Sequence, residues 1–133
     1  MTCNVFINFD GNCRAAVTFY ASVFKLQLPD FMTYGSAPDG ANPQDAERIL
    51  YATLPIAGGN MMFSDCLSGF PHNIGNNIAV VIGLDDKEEI TRIYNELSED
   101  GAIHMPLGQT FFSELFAMVT DKFGITWQIS RNS

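Results

Sequence analysis

Asn4-Val5-Phe6-Ile7-Asn8-Phe9-Asp10 and, some 75 residues on, Asn77-Ile78-Ala79-Val80-Val81-Ile82-Gly83-Leu84-Asp85 decide how this chain is read. Each stretch opens a strand and runs into a helix. At an offset of 75, Phe9-Asp10 falls on Leu84-Asp85 and Phe19 on Tyr94. Further along the offset is 65: Tyr51-Ala52-Thr53-Leu54 lies over Phe116-Ala117-Met118-Val119, and Met62-Phe63 over Trp127-Gln128. The first half therefore carries about ten extra residues, and the Pro/Gly-rich stretch from Gly35 to Pro43 is where they belong. The chain states one strand–helix–strands unit twice.

Period-two alternation marks residues 4–9 as a strand, with Val5, Ile7 and Phe9 on one face. Asp10 or Asn12 is placed to cap a helix, and Ala16, Phe19, Tyr20, Val23 and Phe24 recur at helical spacing. A strand over 27–34 is interrupted by Pro29, and 35–46 reads as the least ordered loop. Strands at 48–56 and 61–65 flank the turn Ala57-Gly58-Gly59-Asn60. After the loop 66–75 the pattern replays. A strand over 77–84 precedes a helix capped by Asp85 or Asp86, with Glu88 and Glu89 at its positive end. Ile90, Ile93, Tyr94 and Leu97 form its buried stripe, and Gly101 ends it. Strands are expected over 103–107 (stopped by Pro106), 111–120 and 125–130. Each half thus reads β-α-β-β-β: module 1 over about 3–66, a linker over about 67–75, and module 2 over about 76–131. The fold class is α+β, two tandem βαβββ modules in one domain.

At 133 residues and 47% apolar content the chain builds one globular core. No apolar run reaches the length of a membrane span. Met1-Thr2-Cys3-Asn4 has no basic start and no apolar stretch, so no secretory signal is expected. Cys3, Cys13 and Cys66 lack metal-type spacing and read as free thiols of a cytoplasmic protein. The net charge of −8 and only seven Lys and Arg argue against nucleic acid.

The strings Asn8-Phe9-Asp10-Gly11-Asn12-Cys13, Phe19-Tyr20-Ala21-Ser22-Val23-Phe24, Met105-Pro106-Leu107 and Met118-Val119-Thr120-Asp121-Lys122-Phe123-Gly124-Ile125-Thr126-Trp127 resemble the PhnB-like branch of the glyoxalase/bleomycin-resistance/dioxygenase (vicinal oxygen chelate) superfamily. The resemblance spans about residues 4–130. It implies paired βαβββ modules forming an open, barrel-like sheet, in a homodimer. It leaves the reaction open, because a fold hosts many functions. Some similar chains carry an ubiquinone-methyltransferase label, yet no glycine-rich nucleotide-binding turn follows a strand here.

Metal-dependent members of the superfamily place His, Glu or Gln at four positions. The resemblance carries these to Asn4 or Cys3, Phe63, Ala79 or Asn77, and Gln128. Only Gln128 could ligate, so no metal and no cofactor are expected. His72 and His104 share no ligand spacing with each other or with a carboxylate. If the Val5/Ile7/Phe9 face meets the helix, alternation turns Phe6, Asn8, Asn77, Ala79 and Val81 the other way. The repeat overlay adds Ile49, Tyr51, Met61, Phe63 and Asp65, then Phe112, Glu114, Phe116, Met118, Thr126 and Gln128. These would line a cleft for a small, mostly apolar molecule with a polar handle. From this set, Phe6, Asn8, Tyr51, Phe63, Asn77, Phe112, Phe116, Met118 and Gln128 are the ligand-binding candidates. Glu114 is the catalytic candidate. A carboxylate in an apolar cleft could move protons, whereas a Glu at a rim would be solvated or paired with Arg48 or Lys122. Three functions follow: a metal-free binding protein, a glyoxalase- or dioxygenase-type enzyme using Glu114 and Gln128, or an interaction module with a filled pocket.

Overall fold

A computed structural model describes residues 1–40 and 42–132; Ala41, within the expected 35–46 loop, lies outside them. Contacts divide the chain into two compact units, Met1–Asn73 and Ile74–Ser133. The first unit contains β1 (Val5–Phe9), α1 (Cys13–Val23), β2 (Met32–Thr33), β3 (Ile49–Leu54) and β4 (Met61–Asp65). The second contains β5 (Val80–Leu84), α2 (Lys87–Ser98), β6 (Ala102–Gly108), β7 (Phe116–Thr120) and β8 (Thr126–Arg131). Each is βαβββ, with a four-stranded mixed sheet ordered β1-β4-β3-β2 or β5-β8-β7-β6. The first strand pairs parallel to the last, and the inner hairpin is antiparallel. In this α+β fold the helix-facing side of each sheet is the core. Phe9, Tyr20, Leu54 and Phe63 are buried in unit 1, and Ile82, Ile90, Leu97, Trp127 and Ile129 in unit 2.

The two helices start differently. At α2 the side chain of Asp86 accepts from the backbone N–H of Glu88 and Glu89, the expected cap. At α1 the N-cap residue Asn12 makes no side-chain cap bond, and Asp10 instead pairs with Arg48. The cap comes from β4. Asp65, buried, accepts from Gly11 N (2.8 Å) and Cys13 N (3.0 Å) at Oδ1 and from Ile49 N (2.9 Å) at Oδ2. One carboxylate thus ties β4 to the α1 entrance and to β3. Gly11 sits in that entrance at φ +91°, a conformation open mainly to glycine.

The Asp121-Lys122-Phe123-Gly124 turn has a parallel logic. Asp121 Oδ1 accepts from Phe123 N and Ile125 N, and Oδ2 accepts from the Trp127 indole N–H at 2.8 Å. The family-like Asp-Lys-Phe-Gly-x-x-Trp string therefore shapes the β7–β8 hairpin and fixes its one tryptophan.

Several elements depart from expectation: the strand expected over 27–34 is reduced to Met32–Thr33, and that expected over 77–84 starts at Val80. Strand β6 runs through Pro106, with irregular register on either side; it is an edge strand, where a missing N–H is tolerated. The extra residues of the first half form short 3-10 turns at Tyr34–Ser36 and Pro43–Asp45. Strand β7 begins only at Phe116. Thr110 Oγ1 accepts from Phe112 N and Ser113 N, and Thr110 N donates to Ser113 O. These bonds close residues 110–113 into a turn and replace ladder pairing.

Candidate functional site

Register decides which side chains leave the helix-covered faces. In unit 1, Ile7 pairs with Phe63 and Phe9 with Asp65, while Phe6 pairs with Met62 and Asn8 with Ser64. Partners across a ladder share a face. Phe63 stacks on Tyr20 of α1 (centroids 5.8 Å apart) and on Phe9 (6.4 Å). Phe63 is a core residue beneath the helix, and its expected place on the open face is corrected; Met61 and Asp65 move with it. The helix-free face instead carries Phe6, Asn8, Tyr51 and Met62, with Phe6 and Tyr51 exposed.

The error has a specific source. Leu54 pairs with Met61 in the first hairpin, whereas Val119 pairs with Trp127 in the second. The second hairpin is one residue longer, so the true counterpart of Gln128 is Met62. A slip of one residue reverses every side chain of a strand.

In unit 2, Phe116, Met118 and Thr120 share the helix-free face with Ser130, Gln128 and Thr126, and Val81 lies beside Gln128. Phe116, Met118 and Gln128 are therefore on the face where the repeat overlay put them. Asn77 lies exposed before β5. Phe112 and Glu114 are in the 109–115 loop rather than on a strand. There Phe111, Phe112 and Phe116 form a chain of edge-to-face rings, with centroids 5.1 and 5.0 Å apart. Phe111 and Phe112 are 100% and 58% exposed. They line a cleft of about 630 Å³ with Gln109, Thr110, Ser113, Glu114, Arg131 and Asn132.

Glu114 is not isolated in apolar surroundings. Its Oε2 accepts from Arg131 Nη1, and its side chain is 67% exposed. Arg131 Nε also donates to the Asp85 carbonyl. The partner is thus Arg131, not Arg48 or Lys122. Arg48 is occupied elsewhere: it binds Asp10, Asp45 and the Cys66 carbonyl. Its guanidinium holds the Asp10 carboxyl below the usual carboxylate range.

The Cys13 and Cys66 thiols are poor nucleophiles. Burial, then the Asp65 charge, pushes Cys13 up to about 12. Burial, then Asp10, also raises Cys66. His72 donates from Nε2 to the Asn8 carbonyl (2.9 Å), and His104 lies 2.7 Å from the Thr120 hydroxyl. A superfamily-type metal finds no donor set in these side chains. The corrected register puts Met62 at the position expected of Phe63, and a thioether is a poor ligand for hard divalent ions. Among the described residues no three His, Cys, Asp or Glu side chains gather into a ligand group.

Sequence reasoning missed the 110–113 turn and Arg131. Thr110, two residues before Phe112, was the available signal for a side-chain-closed turn. Arg131 lay beyond the last expected strand.

The model of the family described as 3-demethylubiquinone-9 3-methyltransferase matches residues 2–130. Protein YjdN of Escherichia coli (strain K12) is 30% identical, the alignment covering 98% of this chain and 95% of YjdN. The crystal structure of PA1353 from Pseudomonas aeruginosa superposes with a TM-score of 0.89 at 30% identity, covering 99% and 98% of the two chains. A PhnB protein from Bacillus cereus follows at 0.77 and 27%, covering 99% and 100%. The fold alone is shared with a glyoxalase/bleomycin resistance protein/dioxygenase family enzyme from Burkholderia phytofirmans PsJN (TM-score 0.64, 16% identity, coverage 96% and 95%). With its duplicated βαβββ units and its Asp-Lys-Phe-Gly-x-x-Trp hairpin, the chain belongs to the PhnB/3-demethylubiquinone-9 3-methyltransferase family, whose fold is related to that of the glyoxalase/bleomycin resistance superfamily.

Proposed function

We propose that this protein binds a small, largely apolar molecule, without metal, and that the 109–115 cleft of the second unit takes part. The observation that carries this reading is the pair of exposed rings, Phe111 and Phe112, lining a cleft of about 630 Å³ and backed by the buried ring of Phe116. Exposed aromatic side chains stay in water at a cost that ligand burial relieves. The volume suits a drug-sized molecule.

Two features favour binding over methyl transfer or acid–base catalysis. A glycine-rich nucleotide-binding turn offers its ligand free amides at a strand–helix junction. At α1 those of Gly11 and Cys13 are taken by Asp65, and at α2 those of Glu88 and Glu89 by Asp86. Glu114 is solvated and ion-paired, which removes the apolar setting a proton-transferring carboxylate requires.

The test is native mass spectrometry with elemental analysis, followed by a thermal-shift screen of apolar compounds. Retained organic mass without stoichiometric metal, or hits abolished by Phe112→Ala, supports the reading. A stoichiometric divalent ion overturns it.

A further inference from the structure

We infer that the ligand class of this cleft, on the function just proposed, is an organic cation: an apolar or aromatic body bearing an ammonium group. The first ground is what the charged side chains of the cleft offer. Arg131 is the more buried partner, 31% exposed, and its Nε and Nη1 already donate to Asp85 O and Glu114. Glu114 is 67% exposed, and its Oε2 is the carboxylate oxygen engaged by Arg131. The more accessible group of the pair is therefore an acceptor bearing negative charge, and an ammonium can reach it without displacing Arg131.

The second ground is the wall. Phe111 and Phe112 present exposed rings in the same cleft. Aromatic faces attract quaternary and alkylated ammonium groups through the ring quadrupole. Phenylalanine offers an anion no such attraction.

The third ground is the field. The unit that contains the cleft, residues 74–133, has nine acidic residues against four basic ones, a net charge of −5. The whole chain is at −8. Such a surface raises the local concentration of cations and lowers that of anions.

The experiment uses three probes with one phenylbutyl body: 4-phenylbutyltrimethylammonium, 4-phenylbutanol and 4-phenylbutanoate. Binding to the purified full chain is measured by calorimetry or NMR titration at 50 and 500 mM NaCl. The expected result is that the ammonium binds at least about tenfold more tightly than the alcohol. Glu114→Gln should shrink that preference severalfold while leaving alcohol binding intact, and high salt should shrink it too. Phe112→Ala should weaken all three probes. Equal binding of ammonium and alcohol, or tighter binding of the carboxylate, overturns the cation assignment and leaves the proposed function standing. Failure of all three to bind overturns both.

Discussion

Asp65→Asn isolates the carboxylate that ties the first unit together. The side chain is 1% exposed and accepts three backbone N–H bonds of 2.8–3.0 Å. Asparagine fills the same volume but has one acceptor oxygen. With that oxygen in the Oδ1 place, Gly11 and Cys13 keep partners, and the new NH2 faces the Ile49 N–H, donor against donor. The reverse orientation strands two amides instead. The cheaper arrangement loses one bond to a charged acceptor, about 1.5–3 kcal/mol, and weakens two others from charged to neutral. It also leaves a buried donor unsatisfied at about 1–3 kcal/mol. The expected cost is ~3–5 kcal/mol, a large part of the stability of a domain this size. Urea titration followed by circular dichroism measures it, with Asp10→Asn as the control. The Asp10 side chain is 54% exposed in its pair with Arg48, so its loss should cost under about 1 kcal/mol. An Asp65→Asn protein within about 1 kcal/mol of the parent would refute the reasoning, and Asp65 would be available for another role.

Other consequences are as direct. The folded chain holds the Cys13 proton up to about 12, while an ordinary thiol releases it near 9.0. Stability is therefore complete below pH 9 and falls as pH rises from 9 towards 12, at about 1.4 kcal/mol per pH unit. Urea titrations at pH 8 and 10.5 should show a drop of roughly 2 kcal/mol that Cys13→Ala lacks; equal slopes in the two proteins would argue against it. A Cβ at Gly101 would lie 2.2 Å from the Thr120 carbonyl, so Gly101→Ala should cost about 1–3 kcal/mol through overpacking, read as a lowered melting temperature. Asp121→Ala orphans the Trp127 indole N–H and two turn amides. It should red-shift the emission of the single tryptophan and destabilise by about 2–4 kcal/mol; unchanged emission would count against the hairpin role. Phe112→Ala, at an exposed loop, should leave stability within about 0.5 kcal/mol of the parent.

The sequence carried the repeat and the order of elements because period-two strands and period-3.6 helices are local signals. Asp86 was legible as a cap because its bonds span two and three residues. Asp65 was not, because it reaches Cys13 across 52 positions. The repeat overlay placed Phe116, Met118 and Gln128 on the helix-free face of their own sheet, but its constant offset of 65 carried Phe63 onto the wrong face. That offset failed because loop length is invisible to hydrophobic period. The 111–115 segment looked like strand from composition, and its true form depends on the local hydrogen bonds of Thr110 and Ser113.

The unequal hairpins also limit how the two halves can exchange parts. A crossover placed inside the turn after β3 or β7 would join strands whose numbering disagrees by one, presenting core side chains to water and surface side chains to the helix. A crossover before β3 or β7, which moves the whole hairpin with its own turn, keeps each strand in phase. Recombinants of this scaffold, natural or engineered, are therefore expected to survive as intact hairpin cassettes and to fail as single-strand grafts.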